Sequence, residues 1–239
     1  MARSDASQHA GQSGSTRRLA SALELAPGAR VLDVGCGSAK SAVLVATEHE
    51  VLVIGLDRSG RSLGRARWRA RRHSFTRGLP LVRADAMALP FRAGSFDAVL
   101  LEAVAYAAPL DAVLPEVARV LVPGGRIGLV DIARRPDHVP PAADFQRLLG
   151  ERTLNLLTVS EWERVVRGAG FDVIRAEGFP IRQELATVVE ELGDWLRSVP
   201  RQLAWLARSP EARRLFFANY RVGLDPGIEG CLLVACTPA

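Results

Sequence analysis

The chain has 239 residues, 48% apolar and 24% charged, which is enough to bury the core of one generous α/β domain or two small ones and excludes a wholly disordered protein. Three cysteines exclude a disulfide framework; with no apolar run of membrane length and no hydrophobic segment in the first sixteen residues, neither a membrane span nor a cleaved secretory leader is expected, and the expected location is the cytoplasm. The net charge of +5 comes from 31 basic and 26 acidic residues, and since Lys40 is the only lysine the basic excess is an arginine bias, a weak pointer to a nucleic-acid partner.

Residues 1–15 are mostly Ser, Gln, Gly and Ala without periodicity and read as a mobile arm. A helix pattern from Thr16 to Leu25 ends at Pro27-Gly28. Val31–Val34 then reads as a short buried strand, followed by a glycine turn and a helix over Ala39–Glu48. Val51–Leu56 is a second strand, Ser59–His73 a helix, and Leu79–Ala84 and Phe96–Leu101 two further strands. Leu110, Val113, Leu114, Val117, Val120 and Leu121 recur at the spacing of an amphipathic helix. Pro123-Gly124-Gly125 stops it before a strand at Arg126–Ile132. Ser160–Ala169 is predicted helical, and Phe171–Ala176 and Gly230–Thr237 extended. Residues 182–222 read as helices rich in large apolar side chains (Trp195, Leu196, Trp205, Leu206, Phe216 and Phe217 among them), with the character of a lid over an apolar acceptor or of a dimer face.

Alternating strands and helices predict a doubly wound, mostly parallel α/β sheet covered on both faces. In such sheets ligands bind beyond the carboxyl ends of the strands. Acids stand there in series: Asp33, Asp57, Asp85, Glu102 and Asp131. In VLDVGCGSAK, Gly35 and Gly37 allow a sharp bend and close approach of a ligand to the backbone, with helix-start amides facing it. The dinucleotide fingerprint requires a small residue at its sixth position, where this chain has Lys40, so a pyrophosphate cradle is disfavoured. Asp57, 22 residues after Gly35, can accept hydrogen bonds from both hydroxyls of a ribose. Asp85 and the Ala86 amide can read the amino group and ring nitrogen of adenine, and Met87 can supply an apolar face to the ring.

VLDVGCGSA, GLDRS, RADAMALPF, SFDAVLLEAV and RVLVPGGRIGLVDI, in this order and spacing, resemble the class I S-adenosylmethionine-dependent methyltransferases, closest to the ubiquinone/menaquinone-biosynthesis and natural-product small-molecule branches. The resemblance covers about residues 16–179 and the last strand, and makes residues 16–239 one methyltransferase domain. It implies a Rossmann-like seven-stranded sheet whose last strand is antiparallel and inserted between its neighbours. It implies S-adenosylmethionine as cofactor, with Asp33, Gly35, Cys36 and Gly37 at its amino-acid half, Asp57 with Arg58 at the ribose, Asp85, Ala86 and Met87 at adenine, and Glu102 near the methionine moiety and the substrate. Ala39 departs from the family, which often has a third glycine there; the extra methyl narrows the turn.

The implied reaction is transfer of a methyl group to a small, apolar or aromatic metabolite. A base is needed only where the acceptor atom carries a proton; His138, after the fifth strand, titrates in the right range, and Tyr106 is the other candidate, more a shaper of the pocket. No metal site is expected. Two other classes stay open: a scaffold that keeps the cofactor pocket for cyclisation or regulation, and an RNA methyltransferase using the arginine-rich stretch Arg58–Arg77. Against the latter, the stripe of Arg61, Arg65, Arg69 and Arg72 on one helical face has one aromatic beside it, Trp68, and no RNA-binding module accompanies it. The expected partner is a small-molecule acceptor, with neither nucleic acid nor membrane, in a monomer or homodimer.

Overall fold

The structure is a computed structural model, and it describes residues 12–73, 79–138, 155–180 and 227–238. In chain order it comprises α1 (Gln12–Ala22), β1 (Arg30–Val34), α2 (Lys40–Glu48), β2 (Leu52–Leu56), α3 (Gly60–Arg72), β3 (Leu81–Val82), β4 (Phe96–Glu102), a 3-10 turn at Ala105–Ala107, α4 (Leu110–Val120), β5 (Leu121–Arg134), α5 (Val159–Gly168), β6 (Asp172–Phe179) and β7 (Ile228–Cys236).

The seven strands form one sheet in the order β3-β2-β1-β4-β5-β7-β6. β1 pairs in parallel with β2 and with β4, so Val31 lies between Val53 and Ala98. β5 continues the parallel set beside β4, and β7 runs antiparallel between β5 and β6, as the last strand was expected to do. The strand order reverses between β1 and β4, so the crevice at a doubly wound sheet's switch point opens above their carboxyl ends.

Two hydrophobic clusters sit on the two sides of the sheet. One gathers Leu32, Val99, Leu101 and Leu129 with Leu114 and Val117 of α4 and Trp162 of α5; the other gathers Val31, Val53, Leu100 and Val234 with Leu19 of α1 and Leu23 just after it, Val43 and Val45 of α2, and Ala66 and Ala70 of α3. The strands are apolar on both faces because both faces are covered, which is why they read as unbroken apolar runs. Trp162 is fully buried and donates its indole N–H to Ile132 O at 3.1 Å. α5 is closed at its start by a capping box, Thr158 Oγ1 accepting from Glu161 N at 3.2 Å and Glu161 Oε2 from Thr158 N at 2.8 Å.

Three sequence expectations are corrected. α1 begins at Gln12, not Thr16, and Ser15 and Thr16 are buried: residues 12–15, expected within the arm, are helical because α1 packs on the sheet through Leu19 and Ala20, with Leu23 just beyond its end, and this burial outweighs a polar, glycine-containing first turn. The third strand shrinks to Leu81–Val82, an edge pairing with β2 alone. β5 takes up Leu121 and the Pro-Gly-Gly segment and bulges against β4 between Phe96 and Ala98. The expected lid at 182–222 and residues 1–11 of the expected arm lie outside the described residues.

Candidate functional site

The site starts at the turn between β1 and α2. Gly35 and Gly37 have φ of +71° and +54°, and Ala39 also takes the left-handed conformation, at φ +58°. Left-handed backbone favours glycine; at Gly35 the requirement is also steric, since a Cβ there would collide with the side chain of Val104. At Ala39 the methyl is wholly buried, so the expected narrowing of the turn is accommodated by packing. Cys36 is spent on the turn itself. Its amide donates to Leu56 O at 2.9 Å, its carbonyl accepts from Ala39 N at 2.7 Å, and its thiol packs where a side chain on Gly55 would sit. Burial raises that thiol well above its ordinary range.

Asp33 comes two residues before the turn and is 2% exposed. Burial first, then the negative charge of Glu102 and of Asp57, push its carboxyl well above the ordinary range, against the pull of the Ala42 amide in the first turn of α2. Among the described residues its Oδ2 has no hydrogen-bond partner. Glu102, the last residue of β4, is held from two helices: its Oε2 accepts from Thr16 Oγ1 of α1 at 3.0 Å and from Ser41 Oγ of α2 at 2.8 Å. Asp57, just past β2, reaches across the turn to accept from Gly37 N at 2.9 Å and turns its other oxygen to Ser59 N at 2.7 Å. The structure thus brings Asp33, Gly35, Gly37, Asp57 and Glu102 together at one edge of the sheet.

Asp85 follows β3, two strands out from Asp33, and accepts from Met87 N at 3.0 Å; Met87 is 45% exposed and Ala86 partly buried. Arg58 is exposed, its carbonyl accepting from Arg83 Nε at 3.1 Å. The arginine-rich α3 meets the glycine turn through Arg69, whose Nε donates to Ser38 O at 3.0 Å, while Arg72 stacks over Trp68 on the exposed face.

The two residues weighed as bases stand on the segments that follow β4 and β5. Tyr106 lies in the 3-10 turn after β4, its amide donating to Asp131 Oδ2 at 3.0 Å and its carbonyl accepting from Asn155 N at 2.6 Å. His138 follows β5 and packs against Gly227 at the start of β7, where any side chain on Gly227 would strike the imidazole. Sequence reasoning missed Thr16, Ser41 and Asn155. Thr16 and Ser41 reach Glu102, and Asn155 the backbone after β4, across 50 or more residues of chain, a separation that local patterns do not signal.

A ligand suited to this edge carries positive charge toward Asp33 and Glu102, hydroxyls toward Asp57 and an acid group toward the amides that open α2. A family model described as a methyltransferase domain matches residues 31–125, the stretch from β1 to the end of the Pro-Gly-Gly segment. The chain is 34% identical over 158 residues to an uncharacterised methyltransferase of Synechocystis, covering 64% of this chain and 71% of that one. The chain belongs to the class I S-adenosylmethionine-dependent methyltransferases. It is also 35% identical over 165 residues to a protein of Amycolatopsis mediterranei named 27-O-demethylrifamycin SV methyltransferase, covering 68% of this chain and 61% of that one, so the match stops short of two thirds of that relative's length. Among solved structures, that of the cyclase SpnF superposes with a TM-score of 0.74 at 23% identity, covering 94% of this chain and 80% of the other. This likeness establishes the Rossmann-like fold. No described helix of this methyltransferase is long and apolar enough to cross a membrane, and its described residues hold no cluster of three His, Cys, Asp or Glu side chains placed for a metal.

Proposed function

We propose that the chain transfers a methyl group from S-adenosylmethionine to a small, apolar or aromatic metabolite by in-line displacement at the carboxyl edge of the sheet. One observation carries the reading: Asp33 is a buried carboxylate with an oxygen lacking any partner among the described residues, next to a second acid, Glu102. Burying such a charge is costly unless a cation completes it, and a cofactor bearing both an ammonium and a sulfonium is that complement.

In this reading Gly35 and Gly37 let the backbone approach the amino-acid half of the cofactor. Each oxygen of Asp57 already accepts one amide and keeps capacity for one ribose hydroxyl. Asp85, with the Ala86 amide, takes the adenine edge, and Met87 lies against its face; Arg58 borders the ribose end. Glu102, fixed by Thr16 and Ser41, holds the methionine end. Bound there, the cofactor supplies an activated methyl on a positively charged sulfur. The protein's own contribution is to hold the reacting atoms in line and to exclude water. Where the acceptor is a phenol or alcohol, His138 takes its proton and Tyr106 shapes the pocket. The acceptor class is supported by the rifamycin-named relative, and three free cysteines suit a cytoplasmic setting.

A second reading is favoured by the fold shared with a named cyclase: the same pocket serving as scaffold for a reaction without methyl transfer. Incubating the protein and its Asp57→Ala variant with methyl-labelled S-adenosylmethionine, a fraction of small apolar metabolites and total RNA separates the two. The proposal expects label in a small organic product made by the parent chain and lost in the variant. A new product without label supports the scaffold reading, and label recovered only in RNA would transfer the activity to the arginine face of α3.

A further inference from the structure

The segment that follows β4 has almost no secondary structure of its own, yet its backbone is bonded from two directions by side chains. From β5, Asp131 is 5% exposed; its Oδ2 accepts from Tyr106 N at 3.0 Å and its Oδ1 from Ile132 N at 2.9 Å, and the amides of Val104 and Ala105 also point to it. From just before α5, Asn155 Nδ2 donates to Ala105 O and to Ala108 O, both at 2.7 Å, and its own amide donates to Tyr106 O at 2.6 Å. One side chain collects the amides of the segment and the other its carbonyls.

Register explains why Asp131 is in place. Glu102 pairs with Val130, and Ala103 N donates to Val130 O at 2.9 Å. Ala103 then turns into the left-handed region at φ +53°, which carries Val104 onto Gly35. The contact is so close that Gly35 has no room for a side chain. Whatever fixes residues 104–106 therefore fixes the wall that stands against the glycine turn. A buried carboxylate is an expensive way to brace a loop. Burial pushes Asp131 up to about 7, and amide hydrogen bonds alone oppose it. Against Cys231 on the other side, its register partner in β7, it contributes to raising the thiol to about 12.

We propose that Asp131 and Asn155 are positioning residues for cofactor binding, a two-sided clamp that seats Val104 against the glycine turn. Neither touches the cofactor in this proposal; both act through the 103–108 backbone. The proposal deepens the reading given above and rests on it for the identity of the ligand.

Its test pairs two measurements on the full chain: hydrogen exchange of residues 103–108 and calorimetric titration with S-adenosylmethionine. The variants are Asp131→Asn and Asn155→Ala, with Leu23→Ala as a control that destabilises the fold through the α1 cluster. We expect Asp131→Asn to speed exchange of the segment at least tenfold and to weaken S-adenosylmethionine about tenfold or more, with Asn155→Ala intermediate in both. Leu23→Ala should lower the melting temperature while leaving affinity within twofold. Unchanged exchange in Asp131→Asn overturns the clamp. Faster exchange with affinity within twofold of the parent, or an equal loss of affinity in Leu23→Ala, reduces it to an ordinary brace of the fold and overturns its role in binding. A parent chain that fails to bind S-adenosylmethionine contradicts the methyltransferase reading, and the dependence on the clamp with it; the exchange data separate that failure from a missing clamp.

Discussion

Gly35 is where backbone conformation and packing meet at the site, since it combines a positive φ with direct contact to Val104. Gly35→Ala is expected to destabilise the chain by about 2–3 kcal/mol, adding left-handed strain to overpacking, and to abolish measurable cofactor binding. Adding Val104→Ala removes the collision but not the strain, so the double variant should recover part of the stability, as read by denaturant unfolding; no recovery would show that the collision is not what demands glycine. Asp57 has a different role. Asp57→Ala should weaken S-adenosylmethionine by about 1.5–3 kcal/mol, the worth of hydrogen bonds to a charged group, measured by calorimetry; unchanged affinity would remove Asp57 from the cofactor site. These residues are legible in the sequence because strand-end acids and a glycine turn are local signals. Thr16, Ser41 and Asn155 are not, because a hydroxyl in a polar helix or an amide in a loop acquires its meaning only from the carboxylate or carbonyl that folding brings to it. Cys36 shows the converse, standing inside the motif with its side chain and backbone spent on the turn.

At the scale of elements, the link between α4 and the loop after Asp85 is electrostatic. Glu116 Oε2 accepts from Leu89 N at 2.8 Å, and Arg119, paired with Glu116 at 2.7 Å, donates to Phe91 O and Leu89 O. The bond from Arg119, and after it the Leu89 amide, hold the Glu116 carboxyl down at about 2 from an ordinary 4.5. A depressed carboxylate stabilises the fold above its unfolded pKa, and that contribution is lost as pH falls from about 4.5 toward 2. The pair is partly exposed, so the amount is about 1 kcal/mol. Melting of Glu116→Gln should fall below that of the parent at pH 6, and the gap should narrow steadily as pH falls below about 4.5 toward 2; a gap of constant size would assign the effect to packing. The helices over both faces and the central strands are readable from apolar periodicity. The start of α1 is not, since Gln12–Ser15 have the composition of a tail and are helical because the rest of α1 is anchored on the sheet. β3 is overextended in the sequence reading because an apolar run signals burial without saying how many residues find a partner on an edge.

For the whole molecule, the account is that parallel strands deliver their carboxyl ends to one edge, where Asp33, Asp57 and Glu102 converge around a glycine turn and the loop after β4 closes against it. The doubly wound class, the place of the crevice and the acids that line it are legible in the amino-acid sequence, because the strands of a parallel set all end at the same edge; the strand order is not read from it. The acceptor side is not, because an acceptor pocket is shaped by side chains from distant segments with no shared local pattern. The most direct test of the central claim is thermal unfolding of the full chain with and without S-adenosylmethionine. A ligand that binds only the folded state at about a hundredfold its dissociation constant adds about 2.7 kcal/mol, which for a chain of this size is a rise of roughly 5–10 °C in melting temperature. The account predicts that rise, saturable in the parent and sharply reduced in Asp57→Ala; a melting temperature indifferent to the cofactor at millimolar concentration would contradict it.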